Sequence, residues 1–184
     1  MNKMLLAGLL IASSVFAECS YQAKQANVTW KAFKNYEKIG VGGSFDRAVL
    51  QSKSTDSIEK ALLLSTITID TSSINSGNSG RDATLTHAFF MVQHINSITA
   101  KVLFVKEGKV QINISMNGVT KTIPMSYTII GEEKIIGKGT IDLADFGMIP
   151  SLQSLNKACF DLHSGKTWQD VEIGFEIPMK TTCK

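Results

Sequence analysis

TITIDTSSINSGNSGRDATLTHAFF, residues 66–90, passes from an alternating strand through a polar turn cluster to two adjacent aromatics. Ile67 and Ile69 fall on one face and Thr66 and Thr68 on the other, the period of two expected of a half-buried strand. From Asp70 to Gly80 the chain is too rich in Ser, Asn and Gly to continue that strand. Arg81, Asp82, Leu85, Phe89 and Phe90 then suit a short capped helical turn, because Leu85 and Phe89 are four apart and share one face.

The same two-residue period recurs along the chain. Ile98, Ala100, Val102 and Phe104 alternate with Thr99 and Lys101, and Val110, Ile112, Ile114 and Met116 alternate with Gln111, Asn113 and Ser115. Ile123, Met125, Tyr127 and Ile129, then Val171, Ile173, Phe175 and Ile177, repeat the arrangement. Eight strands are predicted, at 28–34, 41–50, 60–70, 97–106, 109–116, 121–130, 134–143 and 169–180. Glu107-Gly108 and Gly131-Glu132-Glu133 are short polar links of the hairpin kind. Two long connections, 71–96 and 145–168, are expected to carry short helical segments or a binding role. The fold class is therefore all-β and antiparallel. Eight such strands close into a barrel that is filled by side chains or holds one ligand; a two-sheet sandwich satisfies the same pattern.

Residues 1–17, MNKMLLAGLLIASSVFA, begin with Lys3, continue through an apolar run and exit through Val15 and Ala17 at cleavage spacing. They read as a signal peptide, which leaves 18–184 as one domain and argues against stable membrane insertion. Glu18 stands where a lipobox needs a small residue before Cys19, so lipidation is disfavoured. The formal net charge is only +3 and the lysines are scattered, so a nucleic-acid partner is not indicated. An exported chain keeps disulfides. Cys19 precedes the first predicted strand and Cys183 follows the last, and a barrel of even strand number brings those ends to one rim, which favours a Cys19–Cys183 bond. Cys159 is then odd, as a buried thiol or an intermolecular link.

Four motifs flank the opening segment in order: VTWKAFK (28–34), VGGSF (41–45), NGVTK (117–121) and DFGM (145–148). Together with IDTSSINSGN and Arg81-Asp82 they make the chain similar to the YceI-like family. That resemblance implies an eight-stranded lipocalin-like barrel, export to the periplasm, and an interior that receives a polyisoprenoid or other long-chain lipid. It also suggests a homodimer. Two positions depart from the family pattern. Leu143 stands where an Arg is frequent and Ala100 where a Phe is frequent, which puts the head group in question more than the apolar pocket.

The wall of such a pocket is assigned to Trp30, Phe45, Phe90, Phe104, Met116, Met125, Tyr127, Phe146, Met148 and Phe175, since aromatics and unbranched Met adapt to a flexible chain. The loops around Phe90 and Phe146 are the expected gates. Arg81 is the candidate for an anionic head group, against a role in a turn or salt bridge. Burying a methylene yields ~0.8 kcal/mol, so roughly fifteen give ~12 kcal/mol gross. Association costs ~4 to 15 kcal/mol. Only a long tail, isoprenoid or derived from a fatty acid or amide, binds well on those terms.

Catalytic patterns are weaker. His87, His94 and His163 lack compact ligand spacing, so no metal is assigned. Gly77-Asn78-Ser79-Gly80 approaches a nucleophile elbow, but Arg81 holds the position of its last glycine. Gly40 and Gly42 likewise fail a dinucleotide fingerprint at Phe45. No cofactor is implied. The leading expectation is a non-enzymatic carrier or reservoir of a long-chain lipid. An enzyme acting on a lipid or quinone head group and a packed-barrel interaction module are the alternatives.

Overall fold

Sheet edges expose unpaired N–H and C=O groups, and this chain removes them by pairing every principal strand on both sides. The computed structural model describes residues 18–184; the expected leader, 1–17, lies outside them. The strands are β1 (Cys19–Ala23), β2 (Asn27–Lys34), β3 (Ile39–Phe45), β4 (Ala48–Gln51), β5 (Thr66–Asp70), β6 (Ile74–Asn75), β7 (Ser97–Lys106), β8 (Lys109–Met116), β9 (Val119–Ile130), β10 (Lys134–Asp142) and β11 (Asp170–Cys183). They are joined in one antiparallel sheet of order β4-β5-β7-β8-β9-β10-β11-β2-β3-β6, with β1 on the end of β11. One continuous sheet replaces the two of a sandwich.

The two ends of that order meet. β3 runs on through Asp46-Arg47 into β4, and β5 runs on through a 3-10 turn, Thr71–Ser73, into β6. Phe45 pairs Ile74 and Ala48 pairs Ile69, with the Asp46 amide donating to the Ser73 carbonyl and the Asp70 amide to Arg47 between them. Counted as two bent strands, these four pieces reduce the ring to eight and return the ladder to β2. The expected strand 41–50 thus begins earlier and bends at Asp46-Arg47.

The expected strand 60–70 is half wrong. Its first part is helix α1 (Ile58–Leu63), because Ser57 caps Lys60 and because Ile58, Ala61 and Leu62 are spaced for a helix face and are buried. Serine at an N-cap and an i, i+3, i+4 apolar triplet outweigh the strand period here. Helices α2 (Ser79–Leu85), α3 (Ile149–Ala158) and α4 (Phe160–His163) occupy the two long connections as expected.

The polar run of the opening segment is a string of caps. Asp70 accepts from the amide and hydroxyl of Ser72 and from the Arg47 guanidinium, which fixes the 3-10 turn in the seam. The Ser72 hydroxyl first, then Arg47, hold this carboxyl below its ordinary pKa. Its contribution is therefore present above the usual carboxylate range and fades as acid carries the pH through the lowered value. Asn78 caps α2 through the Arg81 amide, and Asp82 accepts from the Ser76 amide at 2.8 Å and hydroxyl at 2.6 Å. Asp82 is a turn residue, and Arg81 is left over.

Inward residues of β8 to β11 form the core: Val110, Ile112, Ile114, Met116, Ile123, Met125, Tyr127, Ile135, Ile141, Val171, Phe175 and Ile177 are all buried. The outer face carries cross-strand ion pairs such as Lys134–Glu176 at 3.2 Å, which are exposed and contribute ~0–1 kcal/mol each. Phe104 breaks the expected facing. A bulge between Val102 and Phe104 puts Val105 opposite Val110, so Phe104 sits opposite Gln111 and is 43% exposed. One inserted residue reverses the side to which the remainder of a strand points.

At one rim β1 pairs β11 with Cys19 opposite Cys183, and the two form a disulfide 164 residues apart in sequence. In the chain-entropy view, so long a closed loop restricts the unfolded chain strongly. Replacing both cysteines by serine should lower unfolding free energy by about 2–5 kcal/mol, read as a guanidinium midpoint that then no longer responds to reductant. At the seam, a Cβ on Gly43 would press on the Asn75 carbonyl oxygen and lie 2.8 Å from the Trp30 ring. Backbone cannot give way there. Gly43→Ala should cost about 1–3 kcal/mol in the same measurement.

Candidate functional site

Small inward residues leave the barrel incompletely filled. On β10 the inward positions include Gly137 and Gly139, over which the Phe175 ring and the Met125 side chain lie directly. Three cavities follow one another along the barrel. The outermost is a cleft of about 390 Å³ between the β2–β3 hairpin, α2 and the α3–α4 segment, and it opens to solvent. A middle cavity of about 110 Å³ lies under Phe45, Phe89 and Phe90, and a deep one of about 90 Å³ lies among Ile112, Met125 and Phe175. Trp30 lines all three. Ala32, Leu85 and Leu155 are shared by the cleft and the middle cavity, and Phe45, Ile98 and Met116 by the middle and the deep one.

Of the residues expected in the wall, Trp30, Phe45, Phe90, Met116, Met125 and Phe175 line this series. The Trp30 indole donates to the Ser44 carbonyl at 3.3 Å, which orients its ring. Phe90 meets Phe45 and Phe89 edge-on, at 6.3 and 5.0 Å between ring centroids. Tyr127, Phe146 and Met148 are buried in the core but border none of the three cavities. Phe104 is on the outside.

Phe146 also fails as a gate. It has no exposed surface, and the turn that carries it is pinned: Asn117 donates to the Phe146 carbonyl at 3.0 Å and Gln93 to the Gly147 carbonyl at 3.0 Å. The NGVTK and DFGM motifs are thereby two halves of one clamp. The segment around Phe90 is different in kind, a π-helical turn, Thr86–Phe90, that roofs the middle cavity. Both departures from the family pattern fall on cavity walls, Leu143 on the middle one and Ala100 on the deep one. Where Arg is frequent, the wall is apolar.

Charge collects at the cleft instead. Arg81, Lys34 and His163 line it together with Cys159, Thr167 and Leu162. The His163 Nδ1 and the Thr167 hydroxyl share a hydrogen bond of 2.8 Å. Burial first, then the positive charges of Lys34 and Arg81, push His163 below its ordinary pKa. Burial raises the Cys159 thiol, with Lys34 acting weakly the other way. An activated Cys–His pair needs shifts of the opposite sign, a low thiol and a high imidazole, so this pair is not poised for nucleophilic attack. Among the described residues no three His, Cys, Asp or Glu side chains converge as metal ligands.

Lys34 was not singled out in the sequence, where Cys159 stood only as an odd thiol and His163 only as a histidine without ligand spacing. A signal was present in the spacing of Cys159 and His163, four apart in a long connection, but their proximity to Lys34 depends on the β2 strand end reaching that connection. The contact that makes it is the pairing of Lys34 with Thr167 and the donation of the Asn35 amide to the Lys166 carbonyl.

The chain belongs to the YceI-like family: the model of the YceI-like domain matches residues 20–179. No curated protein sequence matches it significantly. Among solved structures, a polyisoprenoid binding domain from Saccharophagus degradans, implicated in plant cell wall breakdown, is similar at a TM-score of 0.60 and 16% identity, covering 91% of this chain and 100% of that one. BcnA of Burkholderia cenocepacia is similar at 0.58 and 16%, over 84% of this chain and 96% of its own. A Campylobacter jejuni YceI protein aligns at 0.50 and 16%, over 78% and 85%. At these identities the likeness shows the lipocalin-like fold alone.

The two phenylalanines with opposite facings separate wall from surface. Phe175→Ala should cost about 3–5 kcal/mol of unfolding free energy by denaturant titration, whereas Phe104→Ser should fall within about 0.5 kcal/mol of the parent.

Proposed function

We propose that this chain is an exported carrier or reservoir that holds the tail of a long-chain isoprenoid or fatty lipid inside its barrel. The observation that carries the reading is the run of three cavities joined along Trp30, with Phe45 and Met116 common to the inner two, which leads from an open cleft to a barrel interior with almost wholly apolar walls. The description of the Saccharophagus degradans structure as a polyisoprenoid binding domain supports the same ligand class.

A tail enters from the cleft past Leu85 and Phe90 and extends toward Phe175. The inner cavities are narrow, so Met116 and Met125, unbranched and flexible, shift rotamer to admit it. Tyr127, Phe146 and Met148 back the wall and keep the surrounding barrel rigid. With ~0.8 kcal/mol per buried methylene set against an association cost of ~4 to 15 kcal/mol, long tails are retained and short ones released. The chemistry is reversible insertion, with no bond made or broken.

Export to the periplasm with removal of residues 1–17 belongs to the same reading. The Cys19–Cys183 bond fits an oxidising compartment. Among the described residues no helix is long and apolar enough to cross a membrane.

Native mass spectrometry of protein purified from its own host, followed by lipid extraction, should show a chain starting at Glu18 with one long-chain lipid attached. Bare protein that also fails to take up added isoprenoid or fatty amide would sink the carrier reading.

A further inference from the structure

Lys34 is the anomaly of the cleft. It is half-buried at the end of β2, it faces a mostly apolar lining, and among the described residues neither it nor Arg81 takes part in an ion pair or a side-chain hydrogen bond. The other lysines around the β2–β3 hairpin are neutralised: Lys31 pairs Glu172 at 3.4 Å and Lys38 pairs Asp170 at 2.7 Å. A partly desolvated ammonium with no counter-charge is costly unless something supplies one.

Resting on the carrier reading, we propose that the cleft selects lipids with an anionic head group, a carboxylate or phosphate bound between Lys34 and Arg81 while the tail runs inward past Trp30. The two cations come from different elements, β2 and α2, and His163 and Thr167, the latter paired with Lys34, border the same cleft. An anion seated there receives charge-assisted hydrogen bonds from both cations, and Arg81 can grip two of its oxygens at once. The middle and deep cavities lie beyond this point and are apolar, with Leu143 and Ala100 in their walls. The head group therefore stays at the mouth. Discrimination comes from there, and affinity from the tail.

Positive potential at the same place also explains the direction in which Lys34 and Arg81 drive His163. A bound anion offsets that repulsion, so the imidazole should hold its proton to higher pH in a carboxylate complex than in a complex of equal tail and neutral head.

Two ligand pairs test this on the chain without residues 1–17: palmitate against palmitamide, and farnesyl phosphate against farnesol. Cys159 lines the cleft and is the single cysteine outside the disulfide, so protection from alkylation reports occupancy whatever the head group. The anionic member of at least one pair should bind about tenfold tighter than its neutral partner and raise the His163 pKa relative to it. Which pair shows the larger ratio distinguishes carboxylate from phosphate. The K34Q/R81Q double variant should lose that ratio while keeping its affinity for the neutral ligand, and K34R/R81K should retain most of it. Equal affinity within both pairs, or a ratio unchanged in K34Q/R81Q, overturns the anionic head group and leaves the carrier standing. Protection of Cys159 by none of the four ligands overturns both.

Discussion

The closure of the sheet on itself is the constraint on which the remainder of this structure depends. An eight-stranded antiparallel ladder left open would expose backbone donors and acceptors along two edges, and here those edges are the two bent strands that meet at Asp46-Arg47 and Thr71–Ser73. The meeting is held by backbone bonds from Asp46 and Asp70 and by the Arg47–Asp70 ion pair at 2.9 Å. Closure has a geometric consequence. The inward face of every strand becomes the wall of one enclosed space, and whether that space is packed or hollow is left to the sizes of the inward residues.

Those sizes differ along the barrel axis. Toward the end remote from the cleft, Val110, Ile135 and Ile177 are nearly or wholly without exposed surface and fill the interior as a core does. Along the rest of the barrel, from Ala32 at the cleft to Ala100 at the deep cavity, small residues including Gly43 and Gly139 take inward positions, and large side chains lie across the gaps without filling them. The barrel is thus stabilised at one end and receptive at the other. This division lets one apolar sequence pattern serve both folding and binding, since burial of a tail and burial of a side chain draw on the same transfer free energy.

Much of this was legible beforehand. The alternation in 109–116 and 121–130 is uninterrupted, and those strands formed with the expected face inward. Where local rules competed, the period misled. In 58–63 a serine cap and a helical apolar triplet prevailed over a reading of strand, and at Leu103 a bulge sent Phe104 outward although it continued the alternation faultlessly. A bulge is a property of a strand pair, set by the register with β8, and a single strand carries no mark of it. The apolar members of the candidate site were found in part because wall residues are also inward residues. Of the polar members only Arg81 was named, because Lys34 and His163 are separated by most of the chain.

By itself the sequence determined the all-β class, the inward face of most strands, the pairing of Cys19 with Cys183 and the family. These follow from periodicity, chain ends and motif order, all of which are local or sequential quantities. The tertiary structure decided that the ring closes through two bent strands, that Phe146 is a pinned turn and no gate, and that Arg81 and Lys34 line one cleft with neither in an ion pair among the described residues. Each of those depends on which distant segments come into contact. Charge proximity and cavity shape are set in three dimensions, and a one-dimensional pattern fixes neither.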